Sequence, residues 1–260
     1  MRPPLDPARI TAGLRETSIT QVIVHAEVSS TNTEAARLAT PYTLILAEHQ
    51  VGGRGRLGRP WQETPRAGLA TSILIPEPAA ALGWVPLLTG LALHRAVREV
   101  THVPTQIKWP NDLLASSGGK LAGILCERTP AGIVIGAGFN VDHRHNELPV
   151  PTATSLALEL GVGVGEIDRT ELVVAYAVAL RASMSALASG GAARDGEQAA
   201  YRHVCQSIGA LVDVSPAPGA TAIRARVEDI DVDGRLLVRD AAGAQHRLAA
   251  GDVHHVRMAQ

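Results

Sequence analysis

Four short stretches carry residue types suited to chemistry. The run Gly52-Gly53-Arg54-Gly55-Arg56-Leu57-Gly58-Arg59 interleaves glycine with arginine. It contains the dinucleotide spacing GxGxxG, but that fingerprint needs a helix opening at its last glycine. Pro60, Trp61 and Pro65 follow, so no helix starts there. Glycine lets backbone approach a ligand closely, and guanidinium forks match carboxylate and phosphate oxygens. The stretch reads as an anion clamp, with a flexible solvated loop as the plainer alternative. Lys108-Trp109-Pro110-Asn111-Asp112 sets a cation, an amide and a carboxylate at one strand end. Lysine can neutralise phosphate and aspartate can hold Mg²⁺ through oxygen, while Pro-Asn-Asp is equally good turn chemistry. In Gly118-Gly119-Lys120-Leu121 a cation enters an apolar strand. It is not a P-loop, because Leu121 stands where Ser or Thr is needed; an edge lysine guarding a hairpin is the alternative. Finally, Ser29-Ser30-Thr31-Asn32 offers hydroxyls and an amide to a polar, uncharged ligand head, or to helix capping alone.

Weaker candidates fall away. His143 and His145 sit two apart without a further ligand cluster, which is poor metal spacing. Cys126 lies in an apolar run and reads as core. Spacing nominates no Ser/His/Asp set.

These stretches need elements to hold them. Residues 1–19 form a short arm in which Asp6-Pro7 opens a brief helix. Gln21 to Val28 alternates as a strand, and Thr31 with Glu34 fits a capping box for the helix that follows. Tyr42 to Ala47, Gly68 to Ile75 and Gln106 to Trp109 read as strands, and Trp84 to Val100 as a helix. Lys120 to Glu127 and Gly132 to Asn140 pair as a hairpin across Thr129-Pro130-Ala131. Asp168 with Glu171 caps a long helix that runs to Ser189 and ends in the Gly/Ala stretch near Gly190. Beyond Cys205 the pattern changes to five short alternating runs: Leu211 to Val214, Ala222 to Ile230, Leu236 to Arg239, Gln245 to Leu248 and Val253 to Arg257. Asp233-Gly234 and Ala242-Gly243 are turn signals between them, and together they predict a small barrel. The division is an arm at 1–19, a main domain at 20–205 and a barrel at 206–260; no repeat is found.

Composition narrows the class. Hydrophobic residues make up 46% and aromatics 3%, so the core must be aliphatic. A net charge of -1 argues against a general nucleic-acid binder. Two cysteines without a CxxC pair suit a reducing cytosol. The first residues, with Pro3, Pro4 and Pro7, resemble neither signal peptide nor anchor, and no stretch reaches ~18 uninterrupted apolar residues. A cytoplasmic protein is expected.

In combination the motifs resemble the biotin protein ligase family. The match runs through Ser30-Thr31-Asn32, Glu48-His49-Gln50, Gly53-Arg54-Gly55-Arg56, Trp61, Lys108 to Asp112, Lys120-Leu121-Ala122-Gly123-Ile124 and Gly136-Ala137-Gly138-Phe139-Asn140, in that order. It is strong over residues 20–160 and weaker in the barrel, at Gly251-Asp252-Val253. The resemblance implies an α/β (α+β) catalytic domain with a mixed sheet, like class II aminoacyl-tRNA synthetases and lipoate ligases, and a C-terminal SH3-like barrel. It implies a ligase that converts biotin and ATP to biotinyl-5'-AMP and transfers biotin to a lysine of a biotin carboxyl carrier protein. Ser30, Thr31, Asn32, Gln50, Gly53 and Gly123 would form the biotin site, and Arg54, Gly55 and Arg56 the loop closing over it. Trp61, Lys108, Asn111, Asp112 and Asn140 would serve the nucleotide, with Asp112 as a possible Mg²⁺ contact. Lys120, Arg56 and Lys108 would carry the catalysis, with Lys120 at the biotin carboxyl. ATP with Mg²⁺ and biotin are substrates, and no permanently bound metal is expected. The family's DNA-binding module has no room here, so neither DNA nor membrane is an expected partner, and the protein would be a monomer or homodimer. His49 stands where some relatives have tyrosine. Two rivals stay open: a lipoate or octanoate transfer enzyme of the same fold, and a non-catalytic biotin-binding regulator.

Overall fold

The structure is a computed structural model that describes residues 1–215, 221–249 and 251–255. In chain order the first half holds α1 (Pro7–Gly13), β1 (Gln21–His25), α2 (Thr31–Leu38), β2 (Thr43–Ala47), β3 (Gly53–Arg54), β4 (Pro60–Trp61), β5 (Gly68–Ile75) and α3 (Trp84–Thr101). Then come β6 (Thr105–Lys108), β7 (Asp112–Ala115), β8 (Lys120–Thr129), β9 (Gly132–Asn140), α4 (Leu156–Leu160), α5 (Arg169–Ser189) and α6 (Gly191–Val204). The last part is all strand: β10 (Leu211–Ser215), β11 (Ile223–Ile230), β12 (Leu236–Asp240), β13 (Gln245–Leu248) and β14 (Asp252–His255).

Seven strands form a mixed sheet in the order β1-β2-β5-β9-β8-β7-β6. Only β1 and β2 run parallel; the other neighbours are antiparallel. Strand β5, inside the sheet, is buried along its whole length. That follows from its sequence, GLATSILI, which has apolar or small side chains on both faces. Helix α3 lays Leu87, Leu88 and Leu91 into the core and packs mainly on α5. Burial of each such side chain contributes about 1.5–3 kcal/mol. Helix α5 is long and apolar enough to cross a membrane, yet Leu172, Val173, Tyr176 and Leu180 are buried in the same core.

Caps set where the helices begin. Asp6 accepts hydrogen bonds from the N–H groups of Ala8 and Arg9, with Pro7 in the first turn, and Asp168 accepts from those of Thr170 and Glu171. At α2 the cap is Ser30, which accepts from Thr33 N–H, so the capping box expected at Thr31 and Glu34 does not form. Thr31 is thereby free to point inward. The arm is held in place. Arg2 pairs with Asp142 at 3.0 Å and with Glu147, and Arg169 reaches both Pro3 O and Glu48 Oε2 at 2.7 Å.

Five strands in the order β13-β12-β11-β10-β14 make an antiparallel sheet. Gly234 and Gly243 take the positive φ, 84° and 85°, that the two turns demand. Among the described residues β13 and β14 do not pair, so the sheet is an open version of the expected barrel. Its last strand ends at His255; Val256 and Arg257, expected to extend it, lie outside the described residues. Helices α4 and α6 and strand β7 were not anticipated. Gly190 ends α5 as expected, but α6 starts at the next residue.

Candidate active site

At the start of α2, Thr31 donates from both its backbone N–H and its hydroxyl to Gln50 Oε1, at 2.9 and 3.1 Å. Gln50 reaches this point through a parallel bridge to Val28 that prolongs the β1–β2 pair. With its oxygen engaged, the Gln50 amide turns its NH₂ group towards the bare Cα of Gly53, where a Cβ would lie only 2.4 Å away. Behind Thr31, the Ser72 hydroxyl contacts Thr31 Oγ1 at 2.8 Å and Asn32 Oδ1 at 2.6 Å. The Asn32 amide donates to Glu127 Oε2 at 2.6 Å and Leu125 O at 3.2 Å, over Gly136, whose missing side chain makes the room. Those partners fix both amide orientations. Three short contacts then remain for two hydroxyl protons: Ser72–Thr31, Ser72–Asn32 and Thr31–Gln50. One acceptor stays unfilled whichever way the hydroxyls turn, so a ligand N–H reaching Thr31 or Asn32 would complete the set.

The Gly/Arg stretch is a two-stranded ribbon, β3 against β4, rather than an irregular loop. Its anchor is Trp61. The indole lies on a floor of glycines in β8 and β9: a Cβ on Gly138 would come within 2.4 Å of the ring and one on Gly123 within 3.0 Å. Gly55 differs from the sequence expectation of close approach. A Cβ there meets only Arg59 O, at 3.6 Å, and its φ of -102° suits any residue. Arg56 crosses the cavity mouth to Asn111 Oδ1 at 3.3 Å and Gly251 O at 3.2 Å, joining ribbon to barrel.

The phosphate-type residues line the same cavity as the polar notch. The β6–β7 hairpin brings Lys108 beside Asp112 across a cis Trp109–Pro110 bond. Lys120 opens β8, and its Nζ stands 2.6 Å from Asp112 Oδ1 and 5.8 Å from the Trp61 ring centre. Asn140, at the end of β9, donates to Lys120 O at 3.4 Å.

A single cavity of about 530 Å³ connects these groups. Ser30, Thr31, Asn32, Gln50, Arg54, Gly55, Arg56, Trp61, Lys108, Asn111, Asp112, Lys120, Gly123 and Asn140 all line it. Gly53, nominated with them, sits behind Gln50 instead. Among the described residues, Arg54, Arg56, Arg59, Lys108 and Lys120 give the cavity wall five cations against one carboxylate, Asp112. Sequence reading missed Ser72 and Glu127, which have no local signature, and missed that Gly251, Val253 and His254 of the barrel also face the cavity. His143 does not gather a metal cluster among the described residues. Burial holds its imidazole down to about 4, and its Nε2 accepts from Thr64 N–H.

Comparison with known proteins agrees with this architecture. Residues 24–140 match the Biotin/lipoate A/B protein ligase family, and residues 218–256 match the Biotin protein ligase C terminal domain. The chain is 37% identical to the biotin--[acetyl-CoA-carboxylase] ligase of Mycobacterium tuberculosis, over 99% of this chain and 98% of that protein. It is 32% identical to the bifunctional ligase/repressor BirA of Bacillus subtilis, over 65% of this chain and 55% of that protein. Biotin protein ligase from Aquifex aeolicus, solved in complex with biotin and ATP, superposes with a TM-score of 0.77 at 26% identity, covering 92% of this chain and 100% of that one. The chain belongs to the biotin protein ligase family.

Proposed function

We propose that the protein activates biotin with ATP to biotinyl-5'-AMP, releasing pyrophosphate, and transfers biotin to a lysine of a biotin carboxyl carrier protein in the cytoplasm. The observation that carries this is one cavity whose described lining holds both the hydrogen-bonding set at Thr31, Asn32 and Gln50 and five cations. Biotin has matching ends: a ureido ring that both donates and accepts, and a carboxylate. The notch also separates biotin from lipoate. A dithiolane ring offers no N–H to the unfilled acceptor at Thr31 and Asn32, and leaving buried polar groups unmatched is costly.

Activation brings together two anions. The biotin carboxylate attacks the α-phosphorus, and the bond to the bridging oxygen breaks to release pyrophosphate. Lys108, Lys120, Arg54 and Arg56, which line the cavity, would offset the charge, and each desolvated donor can lower the barrier by about 3 kcal/mol. Trp61, Asn111 and Asn140 would flank the nucleotide. Mg²⁺ keeps most of its oxygen ligands from phosphate and water. Asp112, the one carboxylate among the described lining residues, would hold Mg²⁺, which would supply charge neutralisation at the phosphates. The mixed anhydride is sensitive to water, and the ribbon from Gly53 to Trp61 would cover it. The carrier lysine then attacks the acyl carbon and AMP leaves, so no covalent enzyme intermediate is needed. Two free cysteines, Cys126 and Cys205, suit a reducing compartment. Incubation with ATP, labelled biotin and a carrier domain tests the reading; label on the carrier lysine is expected, and label accepted only from lipoate would reverse it.

A further inference from the structure

The side chain of Asn32 crosses the sheet along a single rung. Ser72 on β5, Gly136 on β9 and Leu125 on β8 stand opposite one another in register. Asn32 reaches over this rung from the first turn of α2. At one end its Oδ1 accepts from the Ser72 hydroxyl at 2.6 Å, and at the other its Nδ2 donates to Leu125 O at 3.2 Å. Gly136 lies beneath, where a Cβ would overlap the amide. Glu127 follows two residues after Leu125 on β8, and so on the same face of the sheet. Its Oε2 accepts from Asn32 Nδ2 at 2.6 Å. Asn32, Leu125 and Gly136 line the cavity; Glu127 is not among the described lining residues and is solvent-exposed.

An amide fits such a seat either way round, because its oxygen and nitrogen ends have nearly the same shape. Ser72 does not choose between them, since a hydroxyl both donates and accepts. A carboxylate and a backbone carbonyl do choose, because each only accepts. Glu127 makes the shorter of the two bonds to Nδ2, and that bond is charge-assisted. It therefore sets the oxygen end of Asn32 beside Ser72, whose hydroxyl also touches Thr31 Oγ1 at 2.8 Å.

We propose that Glu127 is a positioning residue that determines specificity: from outside the cavity it clamps the Asn32 amide with its oxygen towards Ser72 and Thr31, so that the notch takes a ligand head that donates N–H. The inference deepens the biotin reading given above and rests on it. Glu127 acts through Asn32 and is assigned no contact with substrate. With the amide turned round, an N–H of the ureido ring would meet the NH₂ group of Asn32, and two donors would face each other in a buried site.

The test compares the biotin affinity of the whole protein with that of three variants, by calorimetry. In Glu127→Gln the side-chain oxygen still accepts from Nδ2, and affinity within about threefold of wild type is expected. Glu127→Ala leaves the amide to Leu125 O and should bind about fivefold more weakly. Glu127→Lys only donates, competes for Oδ1 and should weaken binding by about tenfold or more. Its added positive charge would by itself favour the biotin carboxylate, so a loss does not come from the general field. The losses fall on the KM for biotin, with kcat at saturating biotin retained. Equal affinity in wild type and Glu127→Lys, or equal losses in Glu127→Gln and Glu127→Lys, would overturn the clamp. The side-chain amide resonances of Asn32, assigned by their loss in Asn32→Asp, are recorded without ligand. A downfield proton shift in wild type and Glu127→Gln that disappears in Glu127→Ala is expected, and a shift unchanged in Glu127→Ala would also overturn the clamp. If no form binds biotin, the biotin reading falls and the amide resonances alone decide the clamp.

Discussion

The ammonium of Lys120 rests 2.6 Å from Asp112. Pairing keeps a half-buried cation compensated, and in the proposed reaction substrate oxygens would displace the carboxylate from Lys120. Lys120→Ala is therefore expected to leave the fold intact and to lower the rate of biotin-dependent pyrophosphate exchange by about 10²–10³, as for loss of one transition-state donor. An unchanged exchange rate would remove Lys120 from the chemistry. Ser72 works by a different route. It is fully buried, and its hydroxyl joins Thr31 to Asn32. Ser72→Ala removes one donor from a set already short of protons, so biotin affinity should fall about fivefold to tenfold with kcat preserved, about 1 kcal/mol for one neutral hydrogen bond. Titration of biotin against the variant reads this directly. Lys120 was legible in the sequence because a lysine after two glycines at the head of an apolar strand is unusual. Ser72 was not, because one serine in GLATSILI is indistinguishable from any small residue that fills a strand.

The ribbon β3–β4 depends on a floor it does not itself encode. Trp61 lies flat because Gly123 and Gly138 present no side chains. Gly138→Val would drive a Cβ to within 2.4 Å of the indole and expel it. The expected result is a red-shifted tryptophan emission, since Trp84 and Trp109 stay buried, together with weakened ATP binding. Emission and ATP affinity like those of wild type would mean that the indole seat is dispensable. Gly55, by contrast, has open space at its Cβ position, so packing does not explain its glycine. Strands β5, β8 and β9 and helices α3 and α5 could be read from sequence because their patterns run for eight residues or more and carry strong boundary signals, such as Asp168 before α5. Strand β7 was missed because four residues after a turn are too short to show a period. Helix α6 was missed because Gly190 and Gly191 signal termination, while its polar, alanine-rich sequence buries little beyond Gln198 and Tyr201. The cap of α2 shifted by one residue to Ser30, and that small error matters, because it is what releases Thr31 for Gln50.

Across the whole molecule, the second sheet completes the cavity as well as following it in sequence. The indole N–H of Trp84 donates to Asp231 O and Val232 O, and that of Trp109 to Gly234 O at 3.2 Å. At this seam Gly234 holds φ at 84°, and a Cβ on it would lie 2.6 Å from the backbone of Gly83. Gly234→Ala should therefore lower the melting temperature and also raise the KM for ATP, because Gly251, Val253 and His254 reach the cavity only while the sheet is docked. A drop in stability without change in KM would separate the sheet from the active site. The turn at Asp233-Gly234 was plain in the sequence, but its role as a seam was not, since a turn signal says nothing of what packs against it. All of these scales converge on one claim, that the notch at Thr31 and Gln50 and the cations at Lys108 and Lys120 act on the two ends of one biotin molecule. The most direct measurement is exchange of labelled pyrophosphate into ATP by the purified protein, with biotin, lipoate or no acid added. Exchange that requires biotin, and that Lys120→Ala lowers by about 10²–10³, is the predicted result; exchange supported by lipoate and not by biotin, or by neither, would contradict it.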